Sequence, residues 1–264
     1  MKMKDKVVVI TGASMGIGEA TAKAFAAAGV TVVVCSRDAA RAEEARRRIG
    51  FAERTMAVAC DVQNIASIKQ CINAALARFG RIDIWINNAG HGMYAPIEFM
   101  SMTECRSMFD TNLFGAVECM QAVVPVMKQN KGGMIINISS VGGHIAVPGM
   151  AAYCATKFAL NAFSKAARLE LKQHNIHVMT VCPGYIQTGF SERATKGAGA
   201  ARLSTASAQR ILPDRVARAI LNGCVAKKRE VVVPIGDRFK IKLYQMVPRV
   251  MESVMLRMLK PVAK

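Results

Sequence analysis

Val7-Val8-Val9-Ile10-Thr11-Gly12-Ala13-Ser14-Met15-Gly16-Ile17-Gly18 is the stretch that decides the architecture of this 264-residue chain. Its first four residues are all β-branched, with no polar alternation, and read as a short strand buried on both faces. The run ends in a glycine-rich turn, and Glu19 to Ala28 then carries a helical pattern that stops at Gly29. Strand, glycine turn and helix in that order open a βαβ unit of the kind that binds dinucleotides. Glycines let the backbone approach a pyrophosphate, and the helix N-terminus offers free N–H groups and a favourable dipole. The spacing is G-x-x-x-G-x-G rather than G-x-G-x-x-G, and alone it also fits an ordinary glycine turn.

The alternation continues along the chain. Thr31 to Cys35, Thr55 to Cys60, Ile82 to Ile86, Met134 to Ser139, His177 to Cys182 and Glu230 to Pro234 read as further strands. Asp38 to Ile49, Ile65 to Phe79, Ala151 to His174 and Asp214 to Ala226 read as helices, and Met102 to Lys128 holds two helical patterns, continuous or broken. This predicts an α/β fold, a doubly wound parallel seven-stranded sheet with helices on both faces and right-handed crossovers. Residues 186–212 form the one long irregular stretch, with Gly189, Gly197, Gly199, Arg193, Lys196, Arg202 and Arg210. Long loops in compact domains are often functional lids, the alternative being a variable surface loop.

A second signal is chemical. Tyr153 and Lys157 stand four residues apart in the long helix, and Ser140 closes the apolar run Met134-Ile135-Ile136-Asn137-Ile138. Positions i and i+4 share a helix face, so Lys157 can lie beneath the Tyr153 ring. A free phenol titrates near 10, too high for a base at neutral pH, but a neighbouring cation favours the phenolate. That pairing makes a tyrosine a usable general acid/base.

Composition bounds the remaining readings. The length suits one domain with a large core, and 52% of residues are hydrophobic. No apolar run reaches the roughly 18 residues of a transmembrane helix. The N-terminal Met1-Lys2-Met3-Lys4-Asp5-Lys6 leads directly into the first strand, so no signal peptide is expected. Eight cysteines without a C-x-x-C pair are expected to be buried free thiols in a reducing cytoplasm. His91, His144, His174 and His177 lack zinc spacing, so no metal is expected. The net charge of +18 suits an anionic membrane surface or an acidic substrate or carrier. With one tryptophan and no nucleic-acid-binding module, nucleic acid is not expected.

Together these motifs resemble the classical short-chain dehydrogenase/reductase family over roughly residues 5–235. Thr11-Gly12-x-x-x-Gly16-x-Gly18, with Ser14, Met15 and Ile17 inside it, matches the family's coenzyme motif. Asp61-Val62 matches the acidic residue facing the adenine, and Asn87-Asn88-Ala89-Gly90 the segment after the fourth strand. Asn112, Ser140, Tyr153 and Lys157 match the catalytic tetrad, and Pro183-Gly184 with Ile186 and Thr188 the segment meeting the nicotinamide carboxamide. The resemblance implies a Rossmann-type sheet of order 3-2-1-4-5-6-7 and hydride transfer at a carbonyl or alcohol carbon. It further implies Tyr153 as proton donor, Ser140 as hydrogen-bond partner of the reacting oxygen, Lys157 on the nicotinamide ribose and Asn112 positioning a water. It implies a mobile substrate loop in 186–212. A homodimer or homotetramer pairing near 105–130 and 151–174 is expected on the same basis.

Cofactor choice is read at the end of the second strand. An acidic residue there would bind the ribose hydroxyls and repel a 2′-phosphate. Ser36-Arg37 instead offers a hydroxyl and a planar permanent cation, which favours NADP(H) over NAD(H). Substrate candidates are Ser140, Gly142, His144, Met150, Tyr185 and Phe190, with Met93, Val147 and Pro148 nearby. They are mostly apolar and suit a lipophilic carbonyl or alcohol. A 3-oxoacyl-carrier-protein reductase is the nearest alternative, with Lys128, Lys131, Arg168 and Lys172 as docking cations. A non-catalytic cofactor-binding regulator is a remote one.

Domain boundaries are set at 1–236 for the catalytic unit and 237–264 for a basic amphipathic extension. Residues 227–264 hold ten basic and three acidic residues. Val247, Val250, Met251, Val254, Met255, Met258 and Leu259 share one helical face, with Pro248 suited to a first position and Pro261 to a stop. That face is expected either at an anionic membrane surface, peripheral on its cytoplasmic side, or against the protein's own core or a second subunit.

Overall fold

Seven strands of a computed structural model, which describes residues 3–197 and 211–256, hydrogen-bond in parallel into one sheet. In chain order the strands are β1 (Val7–Ile10), β2 (Thr31–Ser36), β3 (Thr55–Ala59), β4 (Ile84–Asn87), β5 (Met93–Tyr94), β6 (Gly133–Ile138), β7 (Ile176–Pro183), β8 (Thr195–Lys196) and β9 (Glu230–Val233). The main sheet runs β3-β2-β1-β4-β6-β7-β9, and β5 pairs with β8 apart from it. Counting only main-sheet strands, this is the expected order.

Alternate residues of each strand explain the two layers. Val8, Ile10, Val32, Val34, Ile84, Ile86, Ile136 and Val181 face one core. It is covered by α1 (Gly16–Ala27), α2 (Ala39–Ile49) and α8 (Pro213–Val225) through Phe25, Ile49, Val216 and Ile220. Val9, Val33, Trp85, Ile135 and Val178 face the other. There α3 (Ile65–Phe79) and α5 (Gly115–Gln129) contribute Ile68, Ile72, Val123 and Met127, and Ala167 of α6 (Ala151–Glu170) packs alongside.

Met102 to Lys128 runs as one helical stretch: α4 (Met102–Phe109) passes through a π-helical turn, Asp110–Phe114, into α5. The structure departs from the sequence reading in three places. The lid stretch carries a short helix α7 (Phe190–Arg193) and β8, whose pairing holds Thr195 opposite Met93. The C-terminal extension contains a helix not anticipated, α9 (Asp237–Met246), which buries only Asp237 and Ile241. Two buried positions in ten residues leave too thin an apolar stripe to read from sequence. Finally, the tail's apolar face is divided. Pro248 opens α10 (Pro248–Leu256), and Met255 packs with Tyr244 on Ile145, Cys182, Val232 and Ile241, whereas Val250 and Val254 stay exposed. Met258, Leu259 and Pro261 lie outside the described residues. All eight cysteines are buried and free. Among the described residues no helix is long and apolar enough to cross a membrane.

Candidate active site

The site assembles at the C-terminal ends of β1, β4, β6 and β7, where an open parallel sheet presents its loops. The glycine turn comes first. Gly12 has φ +61°, and a Cβ there would lie 2.8 Å from Ala89 Cα; a Cβ on Gly18 would meet the Asn88 side chain at 2.5 Å. Both are glycine because the Asn88-Ala89-Gly90 loop presses on the turn. Thr11 Oγ1 accepts from Asn88 N (3.0 Å) and Ala89 N (3.1 Å), and Asn88 Nδ2 donates to the carbonyls of Thr11 (3.0 Å) and Gly12 (2.9 Å). A Cβ on Gly16 would meet Thr188 Cγ2 at 3.3 Å, so the segment after β7 reaches over the turn. Ser14, Met15 and Ile17 complete the turn, and α1 starts at Gly16 with Met15 as its N-cap, which offers no side-chain cap. A glycine turn leading into uncapped helix N–H groups fits a dinucleotide pyrophosphate.

The ends of β2 and β3 lie beside this turn. Ser36 is buried and Arg37 exposed. Asp61 follows β3 and accepts from Gln63 N at 3.1 Å, while Val62 is buried against α3 and α5. Sequence reasoning missed Arg48. Its guanidinium pairs with both oxygens of Glu19 (2.9 and 3.1 Å) and donates to Ser14 O (2.9 Å). A cation from α2 therefore stands on the glycine turn where Met15 supplies none. The run Arg46-Arg47-Arg48 was its only trace, and Glu43 holds the other two arginines.

The reacting groups sit opposite. Ser140 Oγ accepts from Gly142 N (3.0 Å) and donates to Pro183 O (3.4 Å). A Cβ on Gly142 would lie 3.4 Å from Ser140 Oγ and 3.5 Å from Tyr153 Cε1, so this glycine lines the space between them. Lys157 is buried beneath Tyr153, its Nζ 5.7 Å from the ring centroid and donating to Ile138 O at 2.9 Å. Burial pulls its ammonium down to about 8. Burial also pushes the Tyr153 phenol well above its ordinary value, with the Ser140 hydroxyl pulling the other way. Desolvation is the largest influence on the phenol, and the Lys157 ammonium beneath it is held by Ile138 O.

Asn112 is held from both sides. Its Oδ1 accepts from His91 N (2.9 Å), and its Nδ2 donates to His91 O (2.9 Å) and to Thr156 Oγ1 (3.3 Å). Both amide protons are committed, so the side chain clamps the loop after β4 to α6. The π-helical turn sets it there, a backbone feature common at functional sites.

The predicted substrate residues separate. Phe190 packs edge-on against Tyr153 with ring centroids 5.5 Å apart. Ser191, absent from the sequence reading, is hydrogen-bonded by both Tyr185 (3.2 Å) and Tyr94 (3.3 Å). Phe190 thus covers Tyr153, and the bonds of Ser191 tie its helix to β5. Met150 is the N-cap of α6, three residues before Tyr153. His144 does not join them: its Nε2 faces Glu230 (3.3 Å) and Cys182 (3.4 Å). Gly184 N is tied to Val233 O (2.7 Å), and Ile186 bridges to Ile211, which fixes the chain leading to Thr188.

A dinucleotide cradle facing a Ser–Tyr–Lys group defines an oxidoreductase scaffold. The family model described as short chain dehydrogenase matches residues 6–199, and the chain belongs to that family of oxidoreductases. It is 35% identical over 240 residues to a dehydrogenase/reductase SDR family member 7B of Xenopus tropicalis, covering 88% of this chain and 78% of that one. Among solved structures it resembles a 3-ketoacyl-(acyl-carrier-protein) reductase of Brucella melitensis complexed with NADH, at 31% identity and TM-score 0.79 over 88% of this chain and 97% of that one. It also resembles a short chain dehydrogenase of Burkholderia cenocepacia in complex with NADP, at 26% identity and TM-score 0.81 over 97% and 99% of the two chains. Nicotinamide cofactors of both kinds thus occur among its neighbours.

Proposed function

We propose that this oxidoreductase uses NADP(H) to interconvert the carbonyl and alcohol of a lipophilic small molecule. The observation that carries the reading is Tyr153 held beside the Ser140–Gly142 turn and over Lys157. A bound nicotinamide would supply hydride to the carbonyl carbon. Tyr153 would donate its proton to the carbonyl oxygen, and Ser140 would hydrogen-bond that oxygen as charge develops. Loss of the proton leaves a phenolate beside Lys157, whose ammonium then has an anion to stabilise.

Exposed Arg37 at the end of β2 supports NADP(H), because a guanidinium matches phosphate oxygens; Arg48 is already held by Glu19, Glu44 and Ser14 O and adds no free cation. Phe190, Tyr185 and Tyr94 support a lipophilic substrate. Initial rates with NADPH and NADH over steroids, retinoids, aliphatic ketones and 3-oxoacyl thioesters test all of this together. NADPH with apolar ketones should give the highest kcat/KM; highest turnover with NADH, or with thioesters alone, would contradict it. Similarity to the Brucella reductase favours thioesters as the second reading. Of its docking cations, Arg168 is already committed to the carbonyls of Val178 (2.7 Å) and Arg229 (3.0 Å).

Two surfaces bear on partners. Exposed Phe114, Phe158 and Phe163 support pairing through α5 and α6 in a homodimer or homotetramer, which light scattering would count. Phe239, Met246, Val250 and Val254 are exposed beside Arg238, Lys240, Lys242 and Arg249. This supports the 237–264 extension as a peripheral contact of a cytoplasmic enzyme with an anionic bilayer. Co-sedimentation with anionic liposomes at low salt is expected, and its absence would remove that part of the reading.

A further inference from the structure

We propose that Cys182, His144 and Glu230 form a binding site for a zinc-class divalent cation, held by one thiolate, one imidazole nitrogen and one carboxylate oxygen. The starting point is a convergence that hydrogen bonding does not satisfy. His144 Nε2 lies 3.3 Å from Glu230 Oε2, 3.4 Å from Cys182 Sγ and 3.4 Å from Asn161 Nδ2. A ring nitrogen offers one lone pair or one proton, so it serves one of these at a time. Asn161 Nδ2 gives one of its two protons to Gly143 O at 2.8 Å, and a bond from the other to His144 would leave Cys182 and Glu230 unserved. A relay in which the carboxylate orients the histidine for the thiol is ruled out by geometry. That arrangement needs the acid on the other ring nitrogen, whereas here thiol and carboxylate approach the same one. An ion pair between His144 and Glu230 leaves the buried Cys182 thiol beside a carboxylate.

A cation at the centre satisfies all three groups. The ligand atoms lie within 4.8 Å of one another. Tetrahedral zinc, with bonds of about 2.0–2.3 Å, sets its ligands about 3.3–3.6 Å apart, which matches both His144 separations. A thiolate–imidazole–carboxylate set is too soft for calcium or magnesium and suits zinc. Three protein ligands leave a fourth position for water. The His144 and Glu230 side chains are 10% and 30% exposed, which gives an ion its way in.

The ligands stand on well-fixed segments. Thr180 pairs with Glu230 and Cys182 with Val232, so Glu230 and Cys182 share one face of β7 and β9 two residues apart. His144 closes the turn Val141–Gly143, which Ser140 opens. Cys182 precedes Pro183, whose carbonyl takes the Ser140 hydroxyl. A metal here would tie together the two segments that hold Ser140. It would take no part in hydride or proton transfer, so the inference is independent of the proposed function.

The test is metal binding by the full-length protein after chelator treatment, with Zn(II) counted by calorimetry and elemental analysis and Co(II) as the optical probe. One Zn(II) per chain is expected, with a thiolate-to-cobalt charge-transfer band and a Tm raised by zinc. Outer-shell changes alone cost about 10–100-fold in metal affinity, so removing a ligand should cost at least about tenfold. Cys182→Ser should abolish the band. Glu230→Gln, which keeps the side chain's shape, should weaken binding even if the serine variant folds poorly. Absence of stoichiometric zinc in the wild type would overturn the proposal. Binding undiminished in Glu230→Gln, with the cobalt band intact, would overturn it equally by assigning the metal to other thiols.

Discussion

Replacing Asn112 by alanine should damage stability and turnover together, and by amounts that follow from its three hydrogen bonds. The substitution removes the acceptor for His91 N and the donors to His91 O and Thr156 Oγ1. Each such bond contributes about 0.5–1.5 kcal/mol net, and a partner left buried without water costs more. His91 is only half-buried and regains water in part. Thr156 is fully buried, but its hydroxyl still donates to Tyr153 O at 2.7 Å. The sum is about 2–3 kcal/mol, or about 5–10 °C in Tm for a chain of this size. Urea denaturation followed by the single tryptophan, Trp85, fully buried in β4, reads this directly. Because the clamp sets the loop before Asn112 against the helix bearing Tyr153 and Lys157, kcat should also fall about 10–100-fold through misplacement. Asn112→Asp should be worse than alanine, since a carboxylate oxygen would then face His91 O. An alanine variant within about 0.5 kcal/mol of wild type and with unchanged kcat would refute the clamp.

Ser36→Asp with Arg37→Ile should shift preference toward NADH, at about 1.5–3 kcal/mol for each charged hydrogen bond lost; a wild type that already prefers NADH in kcat/KM contradicts the cofactor reading. Lys157 lies at about 8 against an ordinary 10.5. Below pH 8 both states bind its proton and the folded state bears the full cost of burying the charge. Between about 8 and 10 only the unfolded chain keeps the proton, so stability relative to Lys157→Met should rise with pH, by up to about 1.4 kcal/mol per unit. A pH-independent difference in urea titrations would count against it. Phe190→Ala should lower kcat/KM for apolar ketones by about 3–10-fold, the worth of an aromatic pair of about 0.5–1.5 kcal/mol. Equal kinetics for the variant would remove α7 from the pocket wall.

Much of the frame was legible because it depends on local order. Val7 to Ile10 is buried on both sides, so its sequence carries no polar residue and announces a central strand. Tyr153 and Lys157 read as a pair because a helix makes them neighbours. What sequence did not reveal depends on distant partners or on burial. Asn112 meets residues 21 and 44 positions away, and nothing local marks those meetings. Arg48 looked like one of three surface arginines until Glu43 took the other two. The strands β5 and β8 are two residues long and exist only through their mutual pairing. His144 lies near the catalytic serine in sequence, yet its ring turns to β7 and β9. The desolvation that raises the Tyr153 phenol comes from what packs around it, which no spacing rule conveys.

The central claim is that Tyr153 is the proton donor of a hydride-transfer reaction. The most direct measurement is turnover of Tyr153→Phe with NADPH and the best ketone of the panel, alongside cofactor binding by NADPH fluorescence. Phenylalanine keeps the ring, its packing on Phe190 and its place over Lys157, and removes only the transferable proton. The account predicts a folded variant that binds NADPH as the wild type does and loses at least about 10²–10⁴ in kcat. Near-normal turnover in that variant would contradict it.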